Sequence, residues 1–286
     1  MVRVVTYNTH LLPAIALPFA GKRSAAAYRS KRIAEELADH DVIGMCEVFD
    51  RTSRRKIIET LKAESGDAFY FANGPARSGR HMTNSGLLLC SRFPISAQNE
   101  MTYRSASRYI THGFKADSFA AKGALHVRLQ VEADLELDCF LTHLESQSPA
   151  ARMRQVSEFC SFVEQHQNAE RPLVILGDFN IAFSEGSDAE PSGEYASLLK
   201  QLGELRSTEI QDLDPAPNNG PPGTGDALAE GGGSRIDYIL VSAAEPERTS
   251  GFIVGQVEHV RLLDEEVPEG SLSDHLAVSC ELTFPT

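Results

Sequence analysis

A carboxylate that closes an apolar run is expensive to bury unless a partner or a metal meets it. Glu47 does this at the end of Asp41-Val42-Ile43-Gly44-Met45-Cys46-Glu47. Other runs close in Tyr7-Asn8, Thr142-His143, Gly177-Asp178-Phe179-Asn180 and Arg235-Ile236-Asp237, and Ser273-Asp274-His275 opens a further one. Glu47 and Asn8 offer hard oxygen atoms, which suit Mg²⁺ with several waters retained. His275 carries an imidazole that titrates near neutral pH, as a general base requires. Asp178 and Asn180 stand two residues apart after an apolar run, and in an extended segment that spacing puts both on one face. Drawn from both halves of the chain, these groups read as one site assembled at strand ends.

The elements that must position them alternate between strand and helix patterns. Strands are expected at Arg3–Tyr7, Val42–Val48, Gly86–Cys90, Ile95–Ala97, Leu173–Leu176, Ile236–Val241, Phe252–Val257 and Ala277–Leu282. Ala124–Val131 and Leu135–Thr142 form a hairpin across Glu132, Ala133 and Asp134. Helices are expected at Ser30–Ala38, Arg54–Ala63, Ala150–Gln165 and Tyr195–Leu202. In the third of these, Met153, Val156, Phe159, Cys160 and Val163 share a face. Asp214 to Gly233, rich in Pro, Gly and Asn, is the clearest long loop. Hairpins mixed with helices, in place of strict βαβ alternation, predict an α/β fold: a four-layer sandwich of two packed mixed sheets flanked by helices.

Composition narrows the function classes. The net charge of −13 disfavours nonspecific nucleic-acid binding, which rests on a basic surface. The five cysteines, Cys46, Cys90, Cys139, Cys160 and Cys280, all lie in apolar segments without a CxxC pair, and read as buried free thiols. No apolar run approaches the roughly 20 residues of a transmembrane helix, and Val2-Arg3-Val4-Val5 follows the first residue with no leader pattern. The expectation is a soluble chain, cytoplasmic or secreted with its leader removed.

In order and over nearly the whole length, Thr6-Tyr7-Asn8, Glu47, Thr142-His143-Leu144, Gly177-Asp178-Phe179-Asn180, Ile236-Asp237-Tyr238 and Ser273-Asp274-His275 resemble the endonuclease/exonuclease/phosphatase superfamily of metal-dependent phosphoesterases. Within it the chain looks most like the bacterial neutral sphingomyelinases. That closer likeness rests on Asn8 followed by Leu11-Leu12-Pro13, on Glu47-Val48-Phe49-Asp50, on Asp117-Ser118-Phe119-Ala120-Ala121-Lys122-Gly123 and on Glu194-Tyr195-Ala196-Ser197.

The resemblance implies one catalytic domain over residues 1–286 and Mg²⁺-dependent hydrolysis of a phosphodiester, with Mn²⁺ or Co²⁺ as substitutes. Such a reaction needs a nucleophile, an electrophile for the phosphoryl charge and help for the leaving alkoxide. Glu47 and Asn8 are then metal ligands, and Asp274 either holds a metal-bound water or orients its loop. His275 is the general base with Asp237 behind it, while Asp178 and Asn180 orient the attacking water and contact a phosphoryl oxygen. His143 donates to that oxygen, and Lys122 binds the phosphate with Asp117 fixing its loop. The expected substrate is sphingomyelin, cleaved to ceramide and phosphocholine. The alternative is a nuclease or phosphatase of the same superfamily acting on nucleic acid or a soluble phosphoester. Peripheral contact with a membrane would fall to Leu11-Leu12-Pro13-Ala14-Ile15-Ala16-Leu17-Pro18-Phe19, since the chain has no Trp and only 7% aromatic residues.

Overall fold

The computed structural model describes residues 1–12, 25–66, 68–77, 81–106, 120–184, 190–206, 209–214, 234–244 and 253–284. Asp117, most of the Leu11–Phe19 segment and the loop after Asp214 lie outside the described residues. One six-stranded sheet has the order β11 (Ile253–Val260), β12 (Ala277–Thr283), β1 (Val2–Asn8), β2 (Val42–Cys46), β4 (Leu88–Ser91), β3 (Tyr70–Asn73). The other has the order β5 (Ile95–Thr102), β6 (Gly123–Glu132), β7 (Leu135–His143), β8 (Leu173–Asp178), β10 (Asp237–Ser242), β9 (Gln211–Asp212). The two follow one pattern. Each has a single parallel pair at its centre, β1/β2 or β7/β8, flanked on both sides by antiparallel neighbours.

Strand periodicity sorts the side chains into layers, because successive residues point to opposite faces. Val2, Val4, Val42, Cys46, Leu137, Cys139, Leu141, Val174, Leu176, Ile239, Val241, Val278 and Cys280 form the core between the sheets. Their neighbours Val5, Tyr7, Ile43 and Met45 face out under α1 (Ala26–Leu37) and α2 (Arg51–Ser65). Phe140, Leu173, Ile175, Tyr238 and Leu240 face out under α3 (Pro149–His166) and α4 (Gly193–Gly203). The result is the expected four-layer sandwich. The inward parity of β1, β7, β8 and β10 also ends in polar residues: Asn8, His143, Asp178 and Asp237 are the last inward-facing positions at one mouth of the sandwich.

The helices start where side chains satisfy their first amide groups. Asp50 Oδ1 accepts from the amides of Thr52 and Ser53 at 2.8 and 2.9 Å and begins α2 earlier than its apolar spacing implies. Ser148 caps α3 with Pro149 following, and Ser192 caps α4. Two short strands, β3 and β9, were not expected; each sits at a sheet edge, where one neighbour suffices and no strict alternation is imposed. All five cysteines are buried and free. Burial raises every thiol, with Cys160 and Cys280 pushed up to about 12. Leu11 is buried in the core beneath α1 and α2 and Leu262 joins it, whereas Leu263 is exposed.

Gly177 precedes Asp178 with φ at 142°, and a Cβ there would stand 2.0 Å from the carbonyl oxygen of Thr142 on the parallel neighbour. Only glycine lets β7 and β8 close at this point. We expect Gly177→Ala to destabilise the fold by roughly 1–3 kcal/mol or more in denaturant melts and to disturb the adjacent Asp178.

Candidate active site

Strand direction brings the polar groups to one end. Asn8, His143 and Asp178 close β1, β7 and β8, and Glu47 follows β2. Asp237 opens β10, which runs antiparallel to β8, and His275 precedes β12, antiparallel to β1. In the ladders Asp178 is flanked by His143 on one side and Asp237 on the other.

The side chains close into a connected network. His275 Nδ1 lies 2.7 Å from Asp237 Oδ2, and its Nε2 lies 4.0 Å from Asp178 Oδ2. Asn8 Nδ2 donates to Asp178 Oδ2 at 2.9 Å and to Glu47 Oε1 at 3.2 Å, while its Oδ1 accepts from the His10 amide at 3.1 Å. The amide of Asn8 thus bridges two carboxylates, and its oxygen is turned toward the backbone. His143 Nε2 lies 3.4 Å from Asp178 Oδ2 and 4.0 Å from Glu47 Oε1. Lys122, itself buried, donates from Nζ to His143 Nε2 at 2.6 Å and to the Leu144 carbonyl at 3.0 Å. Asp274 Oδ1 lies 2.6 Å from His10 Nδ1 at the rim and accepts from Ser273 Oγ at 3.2 Å.

Asn180 departs from the extended geometry that its spacing suggested. The strand ends at Asp178, the Asn180 amide donates to Asp178 Oδ1 at 2.9 Å, and Asn180 takes φ 52°. This is an Asx-type turn, in which the carboxylate of one residue captures the amide two residues on. Asn180 Nδ2 then donates to the Leu144 carbonyl at 3.0 Å, beside the Lys122 contact.

Three non-glycine residues here hold positive φ: His10 at 48°, Glu47 at 63° and Asn180 at 52°. Such backbone costs on the order of 1–3 kcal/mol at a residue like Glu47 and persists only where the surroundings hold it. Val48 donates its amide to the Gly86 carbonyl, and a Cβ on Gly86 would come 3.1 Å from Glu47 Cα, so the β2 exit is clamped against that glycine.

The donor set fits a hard divalent cation. Glu47, Asp178, Asp237 and Asp274 supply carboxylates at one mouth, and ligand atoms of Asp178, Asp237 and His275 all lie within 4.8 Å of one another. Oxygen-rich sites of this kind suit Mg²⁺ or Mn²⁺. Asp178 is raised above its ordinary range by burial and by the facing charge of Asp237, against the lowering pull of His143, His275 and Lys122. Burial pushes the His275 imidazole down, but Asp237, through charge and hydrogen bond, together with Asp178 and Asp274, lifts it to about 10.

Some supporting residues were not evident from their types alone. Arg152 Nη2 donates to Glu194 Oε2 at 2.6 Å and its Nη1 to the Glu145 carbonyl at 3.0 Å, which ties the loop after His143 to α4. Ser273 Oγ donates to the Asn8 carbonyl at 2.7 Å. Arg29 of α1 is buried behind the same loops. Its spacing with Ile33 and Leu37 on the inward stripe of α1 is the signal that could have marked it.

The chain belongs to the endonuclease/exonuclease/phosphatase family, whose pattern matches residues 5–275. Among characterised relatives, it is 31% identical over 160 residues to sphingomyelin phosphodiesterase 5 of Danio rerio, covering 49% of this chain and 28% of that protein. It is 24% identical over 268 residues to a sphingomyelinase C of Bacillus cereus, covering 84% of this chain and 74% of that one. The chain therefore spans under a third of the Danio rerio relative. Its fold is shared with the beta toxin of Staphylococcus aureus, in a mutant form solved with bound magnesium ions, at a TM-score of 0.71 and 17% identity over 98% of both chains.

The carboxylates around His275 have a measurable consequence. In metal-free protein we expect its imidazole to titrate far above 6.5, and Asp237→Asn to bring it down, as followed by NMR. Because the folded value is raised, this group's contribution to stability is complete below about 6.5 and is lost as pH climbs through about 10. Melts of metal-free His275→Gln should lack that decline.

Proposed function

We propose that this chain is a Mg²⁺-dependent phosphodiesterase that hydrolyses sphingomyelin to ceramide and phosphocholine. The observation that carries the hydrolytic reading is the Asp237–His275 pair, held at 2.7 Å with the second imidazole nitrogen turned toward Asp178, beside the Glu47 carboxylate. The lipid reading draws on the sphingomyelinase relatives, with the sequence segments that resemble theirs.

Asp237 accepts from His275 Nδ1, which leaves Nε2 to take the proton of an attacking water. Asp178 and Asn180 orient that water and the phosphoryl group. His143 and Lys122 act as a pair, the ammonium held at Nε2 of the imidazole supplying positive charge to stabilise what builds on a non-bridging oxygen. The Lys122 ammonium is buried against Nε2, the ring nitrogen that also faces Asp178 and Glu47. Glu47 would hold the cation, with Asn8 fixing its carboxylate and Asp274 orienting the rim. When bound, Mg²⁺ would neutralise the phosphoryl and leaving oxygens and offset the carboxylate field that holds the His275 proton. No covalent intermediate is required.

Among the described residues no helix is long and apolar enough to cross a membrane. A phospholipid would be met from the bilayer surface, at the open mouth of the sandwich.

A substrate panel tests both parts. We expect phosphocholine release from sphingomyelin vesicles with Mg²⁺, none with EDTA, and little from plasmid DNA or inositol phosphates. Nicking of DNA without phosphocholine release would replace the lipid reading with a nuclease. His275→Ala should lower kcat/KM by roughly 10²–10⁴-fold. Glu47→Gln should weaken Mg²⁺ binding in a calorimetric titration, and an unchanged affinity would remove Glu47 as the ligand.

A further inference from the structure

Arg29 is an unusual residue for the inward stripe of a helix. It is 1% exposed, and its stripe partners Ile33 and Leu37 are core hydrophobics. Burying a guanidinium is costly unless its donors are met. Here they are met by backbone carbonyls of two separate loops. Nη2 donates to Thr9 at 2.6 Å and Nη1 to His10 at 3.2 Å, while Nε donates to Leu272 at 2.9 Å and Nη2 donates there as well.

Each loop carries part of the site. Thr9 and His10 follow Asn8, whose amide bridges Glu47 and Asp178. Leu272 leads into Ser273, Asp274 and His275. Ser273 Oγ stitches the same two segments through the Asn8 carbonyl, and the His275 amide donates to that hydroxyl at 3.2 Å. The positive φ of His10 turns its carbonyl into reach of the guanidinium. A planar fork with several fixed donors can hold carbonyls from two chain segments at once; a lysine ammonium, a single mobile point, cannot reproduce that geometry.

We propose that Arg29 is a positioning residue for hydrolysis: its guanidinium locks the loop after β1 to the loop before β12 and so sets His275 opposite Asn8 and Glu47. The inference rests on the hydrolytic reading above, but its structural half stands separately. Arg29 touches no reacting atom; its effect passes through the two loops.

The test uses the full chain with Arg29→Lys and Arg29→Ala, each checked for folding by circular dichroism and thermal melting. Backbone amide exchange by mass spectrometry is read first. The expected result for Arg29→Lys is loss of protection confined to residues 8–11 and 272–276, with α3 and α4 unchanged. Activity is read on a soluble chromogenic phosphodiester at saturating Mg²⁺. There kcat should fall roughly 100-fold, as for a small misplacement of reacting groups, with KM nearly unchanged. Guanidinium ion should restore part of the kcat of Arg29→Ala. Wild-type exchange at both loops, or a loss of protection spread over the whole chain, overturns the proposal. So does a fall in activity that only tracks the unfolded fraction. If wild-type protein fails to hydrolyse the probe, the functional reading fails, and the exchange pattern alone decides whether Arg29 locks the loops. If Arg29→Ala does not fold, Arg29→Lys still decides.

Discussion

Two buried carboxylates, Asp178 and Asp237, sit directly opposite one another on neighbouring strands. Like charges in that position repel at a Cβ separation of about 5 Å, and burial strengthens the repulsion. Much of the surrounding chemistry answers this one constraint. Asn8 donates to Asp178, His275 covers Asp237, and His143 with Lys122 approaches Asp178 from the other side. The same negative field that burdens the fold holds a proton on His275 and favours a divalent cation.

The site is a cost that the rest of the molecule offsets. Each fully buried Leu, Ile or Val in the layer between the sheets contributes roughly 1.5–3 kcal/mol. A buried ion that loses its partner costs about 3–5 kcal/mol. The inward rows of β1, β7, β8 and β10 therefore keep their carboxylate, imidazole and carboxamide groups for the position at the mouth, with only the hydroxyl of Thr6 further in. Strand directions decide which end that is. Both parallel pairs deliver their carboxyl ends there, and the antiparallel neighbours deliver their amino ends.

Much of this was legible in the chain. The run before Glu47 and those before His143 and Asp178 mark strands by length and apolarity, and the polar residue closing each marks the end at which these side chains gather. The helices on α1 and α3 show in their 3.6-residue periodicity. What escaped has physical reasons. The strand Tyr70–Asn73 pairs on one side only, so its pattern is weak. The turn at Asn180 depends on an amide captured by Asp178, which spacing alone cannot reveal. That the Lys122 ammonium is held by His143 Nε2 and the Leu144 carbonyl is likewise hidden from spacing, because the β6–β7 register brings these segments together. Asp50, part of the segment that resembled sphingomyelinases, serves as a helix cap.

The hydrogen bond between His275 and Asp237 joins one sheet to the other, for the histidine precedes a strand of the first and the aspartate begins a strand of the second. Its length therefore gauges the gap between the sheets. Gly44 shows how narrow that gap is, since an added Cβ would stand 3.0 Å from both Leu141 and Leu176. A substitution in this distant layer that wedges the sheets apart by a few tenths of an ångström would be felt first as misalignment at the mouth. The packing of the interior is thereby tied to the alignment of the His275–Asp237 pair at the mouth.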